Sequence, residues 1–113
     1  MKITPVSFHL TLSNEEKAYL EHHIEYYYVG NYGVDKRLFS DVSKTCEVLD
    51  ILRQIKSNNI FICCSWYQAK LLEEIIYSRE CRLDAKTSMT YLPADFEHRD
   101  LYDAIAKLAK REV

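Results

Sequence analysis

The chain has 113 residues, of which 48% are hydrophobic and 28% charged, a length and mixture that predict one globular domain and exclude a disordered tail. Its formal net charge of −2 shows none of the basic excess with which proteins usually bind nucleic acid. The sequence has two glycines, and because phosphate-binding loops need glycine where the backbone approaches the ligand closely, a P-loop and a dinucleotide-binding motif are excluded.

Nothing in the sequence predicts a membrane or secretory role. The longest apolar run, residues 60–64, is far shorter than the roughly 20 residues that cross a bilayer. The first residues lack the continuous apolar stretch of a signal peptide. We therefore expect a cytoplasmic, intracellular protein, a setting in which thiols are normally reduced. The four cysteines are accordingly expected to be free: Cys46, Cys63, Cys64 and Cys81.

The first predicted elements are a strand and a helix. Apolar and polar residues alternate over residues 6–12, a period of two that predicts a half-buried strand. Ser13 and Glu16 then have the spacing of a capping box, in which each side chain accepts a hydrogen bond from the other residue's N–H group. They predict a helix over residues 14–28, ended by Gly30. Its inward-facing residues are expected to be Leu20, Ile24 and Tyr27 or Tyr28.

A second helix is predicted from about residue 40 to residue 56, because apolar residues recur there at helical spacing. Those residues are Val48, Ile51, Leu52 and Ile55. Residues 60–64 are interpreted as a buried strand, and the capping-box pair Ser65 and Gln68 predicts a third helix to about residue 79. Its inward-facing residues would be Ala69, Leu72, Ile75 and Ile76. The alternative is one continuous helix over residues 60–79, since apolar residues also recur at helical spacing across that range.

In the remaining chain, the sequence predicts a possible third strand at residues 88–92 and a last helix over residues 95–111. Pro93 would end the strand. Acidic residues near the start of the helix and basic residues near its end complement the helix dipole. The inward-facing residues of this helix would be Leu101, Ile105 and Leu108.

These elements predict an α+β fold, or a small α/β fold. We expect one helix-rich domain over residues 1–113, with about four helices packed on a small sheet of two to three strands. If the second and third strands were parallel neighbours, the third helix would be the right-handed crossover between them.

Three consecutive tyrosines stand near the end of the first predicted helix. Their side chains fan over about 200°, whereas a buried stripe is only a little more than about 100° wide. At least one tyrosine must therefore be exposed or meet a partner, and tyrosine is enriched at protein interfaces. We expect a partner-binding surface formed by this helix end and the loop after it: Tyr26, Tyr28, Tyr32, Lys36 and Arg37. Aromatic and basic residues together also contact nucleic acid, but the glutamates of the first helix disfavour that partner.

The histidine and acidic clusters are interpreted as surface features. His22 and His23 are adjacent, so on a helix they point about 100° apart and do not form the i, i+4 pair that binds metal. Both are expected on the surface. The charged residues over 95–100 fit a solvated helix start. The cysteines lack the C-x₂-C spacing of a zinc site, so no metal or other cofactor is predicted.

An enzymatic alternative centres on Cys64. If residues 60–64 form a strand, Cys64 ends it just before a helix N-terminus, where thiolates and anions are stabilised. Cys64 would then be a nucleophile, with Ser65 or Gln68 holding an anionic group. Against this, no glycine shapes the turn, and free cysteines are commonly buried as small hydrophobic residues. The alternative is a small α/β enzyme or ligand-binding domain for a phosphorylated or nucleotide-like molecule.

The sequence as a whole favours a non-enzymatic role. It combines small size, balanced charge and few chemical motifs, a profile shared by small proteins that act by binding another protein. Inhibitors, immunity proteins and adaptors have this profile, which is one of composition. We therefore expect a protein-interaction module that binds a partner protein. A homodimer is a further expectation, because exposed tyrosines also suit a symmetric interface.

Overall fold

The computed structural model describes residues 7–26, 42–59 and 61–110. In chain order these residues form β1 (Ser7–Thr11), α1 (Asn14–Glu25), α2 (Val42–Lys56), β2 (Phe61–Ser65), α3 (Trp66–Glu80), β3 (Arg82–Leu83), β4 (Thr90–Tyr91) and α4 (Arg99–Ala109). Within these ranges there are four helices and two antiparallel sheets of two strands each. The prediction of a helix-rich α+β fold is confirmed.

Both predicted capping boxes are present. Ser13 accepts a hydrogen bond from the Glu16 N–H group, and Glu16 accepts one from the Ser13 N–H group. Ser65 and Gln68 do the same at the start of α3. Because each box involves residues only three positions apart, the local sequence is sufficient to place the two helix starts.

Residues 61–65 form a strand, so the alternative of one continuous helix over 60–79 is wrong. Ser65 has the extended backbone angles φ −77° and ψ 166°, which interrupt any helix at that point. Burial alternates along β2, with Ile62 and Cys64 buried, Phe61 and Cys63 exposed, and Ser65 half-buried. The strand pairs antiparallel with β1, and His9 lies opposite Cys63 in the register.

The other edge of β2 is closed by a side chain. Gln54 on α2 accepts a hydrogen bond from the Cys63 N–H group at 2.7 Å and donates one to the Cys63 carbonyl at 2.9 Å. The amide thus makes the two bonds that a neighbouring strand would make. Because both the N–H and the C=O group of Cys63 bond to Gln54, they point away from β1. His9 and Cys63, which lie opposite each other, are therefore a non-hydrogen-bonded pair.

The third strand forms, but it does not extend the first sheet. β4 is shorter than predicted and pairs antiparallel with β3, and the turn between them is closed by hydrogen bonds between Asp84 and both Ser88 and Met89. α3 therefore connects strands of two different sheets. The second and third predicted strands are not parallel neighbours, so the parallel crossover that would have depended on this pairing does not form. The local β3–β4 hairpin needs only a short turn, whereas a parallel pair would need a long connection.

The last helix begins four residues later than predicted. His98 has the left-handed backbone angles φ 64° and ψ 28°, which do not continue a right-handed helix. Asp95 and Glu97 therefore precede α4, and Asp100 is the acidic residue of its first turn. The interpretation of residues 95–98 as part of the helix start is wrong for this reason.

The core is built around α3, which packs against each of the other three helices and against β2. The predicted inward-facing residues of the four helices are buried wherever they are described, except Leu108, which is half-buried. The fully buried large side chains are Leu20, Ile24, Ile51, Ile62, Cys64, Leu72, Ile75, Ile76 and Ile105. Helical periodicity in the sequence thus identified most of the core.

Replacing Gln54 by alanine tests the closure of β2. The variant loses both hydrogen bonds to Cys63, and we expect the free energy of unfolding to fall by about 1 kcal/mol. Arg53→Ala, at the neighbouring exposed position of α2, is the matched control and should change it by less than about 0.5 kcal/mol. Urea unfolding measures both, and equal losses in the two variants would show that the amide does not hold β2.

Candidate functional site

Tyr26 is the one residue of the predicted partner-binding surface that lies within the described ranges. It follows the last residue of α1, its N–H group donates to the His22 carbonyl, and 39% of it is exposed. The expectation that a tyrosine at this helix end faces outward holds for Tyr26. The other four residues of that surface lie outside the described residues: Tyr28, Tyr32, Lys36 and Arg37.

Arg79, near the end of α3, lies against Tyr26. Its guanidinium carbon is 3.9 Å from the centre of the Tyr26 ring, a distance at which the cation and the ring attract each other. The Arg79 Nη1 atom is buried and has no hydrogen-bond acceptor among the described residues. No pattern in the sequence indicated this contact, because Tyr26 at the end of α1 and Arg79 on α3 are brought together only by tertiary packing. We call Tyr26 and Arg79 the Tyr26–Arg79 pair.

His23 lies beside this pair and is buried, so the expectation that both histidines are on the surface is wrong for His23 and correct for His22. The reason is helical position: His23 is three residues after Leu20 and therefore shares its inward face. That spacing was available in the sequence. The His23 Nδ1 atom is 2.9 Å from the Tyr19 carbonyl oxygen, and Nε2 is 3.3 Å from Oε1 of Glu80.

The ring of His23 thus lies between two hydrogen-bond acceptors. A neutral imidazole has one N–H group and can donate to the Tyr19 carbonyl or to Glu80, whereas the protonated ring could donate to both. Burial opposes the protonated form and lowers the pKa of His23, with the positive charge of Arg79 acting in the same direction and Glu80 against it. We therefore assign a neutral ring near pH 7.

Tyr19 connects three parts of the fold at this point. Its hydroxyl donates a hydrogen bond to Glu80 at 3.2 Å, and its ring centre is 4.1 Å from that of His23 and 4.7 Å from that of His98. Burial, followed by the charge of the Glu80 carboxylate, raises the pKa of the Tyr19 hydroxyl. Tyr19 therefore acts as a neutral donor that joins α1 to the end of α3 and to the turn before α4.

Cys64 and its neighbours do not have the properties of a nucleophilic site. The Cys64 side chain is fully buried, and burial, with a further contribution from Asp50, raises its pKa to about 12. Ser65 and Gln68 bond to each other in the capping box, and the Gln68 amide also donates to the Glu47 carbonyl and to Asp50. A thiolate is not available near neutral pH, which weighs against the enzymatic alternative.

The described residues also bear on three other kinds of feature, namely disulfide bonds, metal sites and membrane-spanning helices. All four cysteines are free, and Cys46 and Cys63 are exposed. Among the described residues, no group of three or more His, Cys, Asp or Glu side chains could hold a metal ion. No helix within the described ranges is long and apolar enough to cross a membrane.

An open cleft of about 380 Å³ lies between the start of α1 and the start of α4. Its lining carries both signs of charge: Ser13, Glu15, Glu16, Phe96, His98, Arg99, Asp100 and Leu101. Arg99 is already engaged, because it donates hydrogen bonds to Asp103 and to the Pro93 carbonyl. The Arg99 guanidinium group is therefore not free to bind an anionic ligand in this cleft.

Comparisons of the chain with protein-family models, with curated proteins and with solved structures found no match.

The buried His23 predicts a specific dependence of stability on pH. Because its folded pKa is lowered, the unfolded chain binds more protons than the folded protein once the pH falls below about 6.5. The contribution of the neutral ring is complete above that pH and is lost as the pH falls toward the folded pKa. We expect His23→Gln to flatten the dependence of unfolding free energy on pH between about 7 and 5, while His22→Gln keeps the wild-type slope. Chemical unfolding at several pH values measures this, and equal slopes in both variants would contradict the assignment.

Thiol alkylation tests the assignment of Cys64. Because the thiolate is the reactive form, we expect iodoacetamide to modify Cys64 in the folded protein at least ~100-fold more slowly than its exposed neighbour Cys63, as measured by peptide mass spectrometry. Denaturant should remove the difference. Rapid modification of folded Cys64, with an apparent pKa below about 8.5, would instead support the enzymatic alternative.

Proposed function

We propose that the chain is a non-enzymatic protein-interaction module, of the kind represented by inhibitors, immunity proteins and adaptors. It binds a partner protein through the tyrosine-rich segment that begins at the end of α1 and continues along the chain. The observation that carries the proposal is the Tyr26–Arg79 pair, an exposed aromatic ring at the end of α1 with a guanidinium group 3.9 Å from its centre.

The residue types support this role. Tyrosine and arginine are enriched among the residues that contribute most to protein binding, because each combines a large contact area with groups that form hydrogen bonds. Tyr26 is 39% exposed, so much of its surface is available to a partner. The contact with Arg79 restricts the ring before binding, which reduces the entropy lost when a partner orders it.

The surroundings support it as well. Directly inside the Tyr26–Arg79 pair, Tyr19, His23 and Glu80 are joined by hydrogen bonds between α1 and α3. Groups held on packed helices are placed more reproducibly than groups on loops. Arg79 lies on one of these packed helices, and Tyr26 directly follows the end of the other. Tyr28, Tyr32, Lys36 and Arg37 are proposed to extend the same surface along the chain.

The enzymatic alternative is less well supported. It requires a reactive thiol at Cys64 and free polar groups at Ser65 and Gln68. The thiol is buried with a raised pKa, and both polar side chains are bonded within the protein. We therefore prefer the interaction module.

A combined variant with Tyr26→Ser, Tyr28→Ser and Tyr32→Ser tests the proposal. The immobilised full chain is used to capture proteins from a lysate of its source cells. We expect the variant to bind the captured partner at least ~10-fold more weakly, since truncating an interface hot spot costs about 2 kcal/mol or more and about 1.4 kcal/mol is a factor of ten. Tyr91→Ser is the matched control, because Tyr91 on β4 is also exposed, and it should bind as the wild type does.

Thermal unfolding of the same variants separates an interface from a core. The triple variant should keep a melting temperature within a few degrees of the wild type. Unchanged capture by a folded triple variant would overturn the proposal. A collapse of its melting temperature would also overturn it, because the tyrosines would then be core residues.

A further inference from the structure

The two strands of the first sheet have different outer edges. The outer edge of β2 is closed at Cys63 by the Gln54 amide and at Ser65 by the Gln68 side chain, which accepts from the Ser65 N–H group. No such closure exists for β1 among the described residues. Within the described residues, the sheet is therefore protected on one side and open on the other.

The register shows which main-chain groups the open edge presents. Since His9 and Cys63 are a non-hydrogen-bonded pair, hydrogen bonds to β2 come from the alternate residues of β1. The N–H and C=O groups of Ser7, His9 and Thr11 therefore point away from β2. His9 and Thr11 are exposed. Three donors and three acceptors at a spacing of two residues form the pattern that another extended strand recognises.

β1 also lacks the features that normally prevent edge pairing. Edge strands of monomeric proteins are usually protected by lysine or another charge, by proline, by a bulge or by a covering element. The sequence of β1, SFHLT, has no lysine, arginine, aspartate or glutamate and no proline. Its register with β2 is continuous over all five residues, so the strand has no bulge.

We propose that this edge pairs with β1 of a second copy of the chain, antiparallel, about a two-fold axis at His9. The two short sheets would then join into one sheet of four strands in the order β2, β1, β1, β2. His9 would face His9 of the second copy as a hydrogen-bonded pair, with Ser7 facing Thr11 on either side. About six main-chain hydrogen bonds would form across the axis.

The side chains of β1 favour a second copy over an unrelated strand because the sequence is complementary to itself in this register. Phe8 would lie opposite Leu10 of the second copy, an aromatic and aliphatic pair of the kind that stabilises sheets. Leu10 is only partly buried, whereas its partner on β2, Ile62, is fully buried. A second copy would cover the exposed part of Leu10. Symmetric pairing of identical patches is also the commonest form of self-association.

This interface is separate from the proposed function. It uses the main chain of β1, whereas the proposed partner surface uses side chains at the end of α1 and in the residues that follow it in the chain. Either proposal can fail while the other holds.

Proline at position 9 tests the edge selectively. His9→Pro removes the outward N–H group but none of the bonds between β1 and β2, and the fixed φ of proline is tolerated at a strand edge. His9→Ala, which keeps the N–H group, is the matched control. In sedimentation-velocity experiments at about 100 μM, we expect the wild type and His9→Ala to be dimers and His9→Pro to dissociate at least ~10-fold more readily, provided that circular dichroism shows it folded.

A cross-linking experiment decides the matter independently of any proline effect on folding. In a background with Cys46→Ser, Cys63→Ser and Cys81→Ser, a cysteine is introduced by His9→Cys or by Thr11→Cys. The two copies of position 9 would have Cα atoms about 5.5 Å apart, within the range of a disulfide. The two copies of position 11 would be more than about 13 Å apart. We expect a disulfide-linked dimer from His9→Cys and none from Thr11→Cys.

Three results would overturn the proposal: a wild-type monomer at every concentration tested, a dimer that a folded His9→Pro variant retains, or equal cross-linking at positions 9 and 11. The first would leave the edge to an extended strand of another protein. The second and third would place the dimer interface elsewhere.

Discussion

The capping box between Ser65 and Gln68 fixes the point at which β2 becomes α3, and much of the described fold depends on that point. The extended backbone of Ser65 ends the strand, and its hydroxyl accepts the hydrogen bond that begins the helix. The Gln68 amide also bonds to Glu47 and Asp50 on α2. One short polar cluster thus sets the direction of α3, around which the other helices pack, and attaches it to α2.

The two ends of α3 have opposite chemical characters. At the start, the Ser65 and Gln68 side chains are hydrogen-bonded within the protein and Cys64 is buried in the core, which makes this end structural. At the other end, Arg79 lies against an exposed tyrosine, and Glu80 takes hydrogen bonds from Tyr19 and lies beside His23. Burial keeps His23 neutral while Glu80 favours its protonated form. This end brings charge, aromatic surface and solvent together beside the tyrosine-rich segment, and it is where a partner is proposed.

Hydrogen-bond satisfaction distinguishes the open surfaces from the closed ones. Gln54 supplies the bonds that a missing neighbour of β2 would have made, so that edge needs no partner. Among the described residues, no side chain makes such bonds to β1. The β1 sequence also has no lysine, arginine, aspartate, glutamate or proline that would prevent pairing. The same principle, that main-chain groups are normally paired or solvated, accounts for the closed edge and motivates the proposal for the open one.

The sequence by itself determined the features that depend on residues close together in the chain. These are the two capping boxes and the helices with their buried stripes. The sequence also favoured a strand over a continuous helix at residues 60–64, and it required at least one of the three consecutive tyrosines to face outward. Only the tertiary structure decided how distant segments meet. It paired β4 with β3 instead of extending the first sheet, placed Arg79 on Tyr26 and Glu80 beside His23, and sealed Cys64 in the core. It also showed that His98 delays α4 through a left-handed backbone conformation. The physical reason is that helical periodicity and capping are local, whereas burial, pKa shifts and contacts between helices depend on which surfaces pack together.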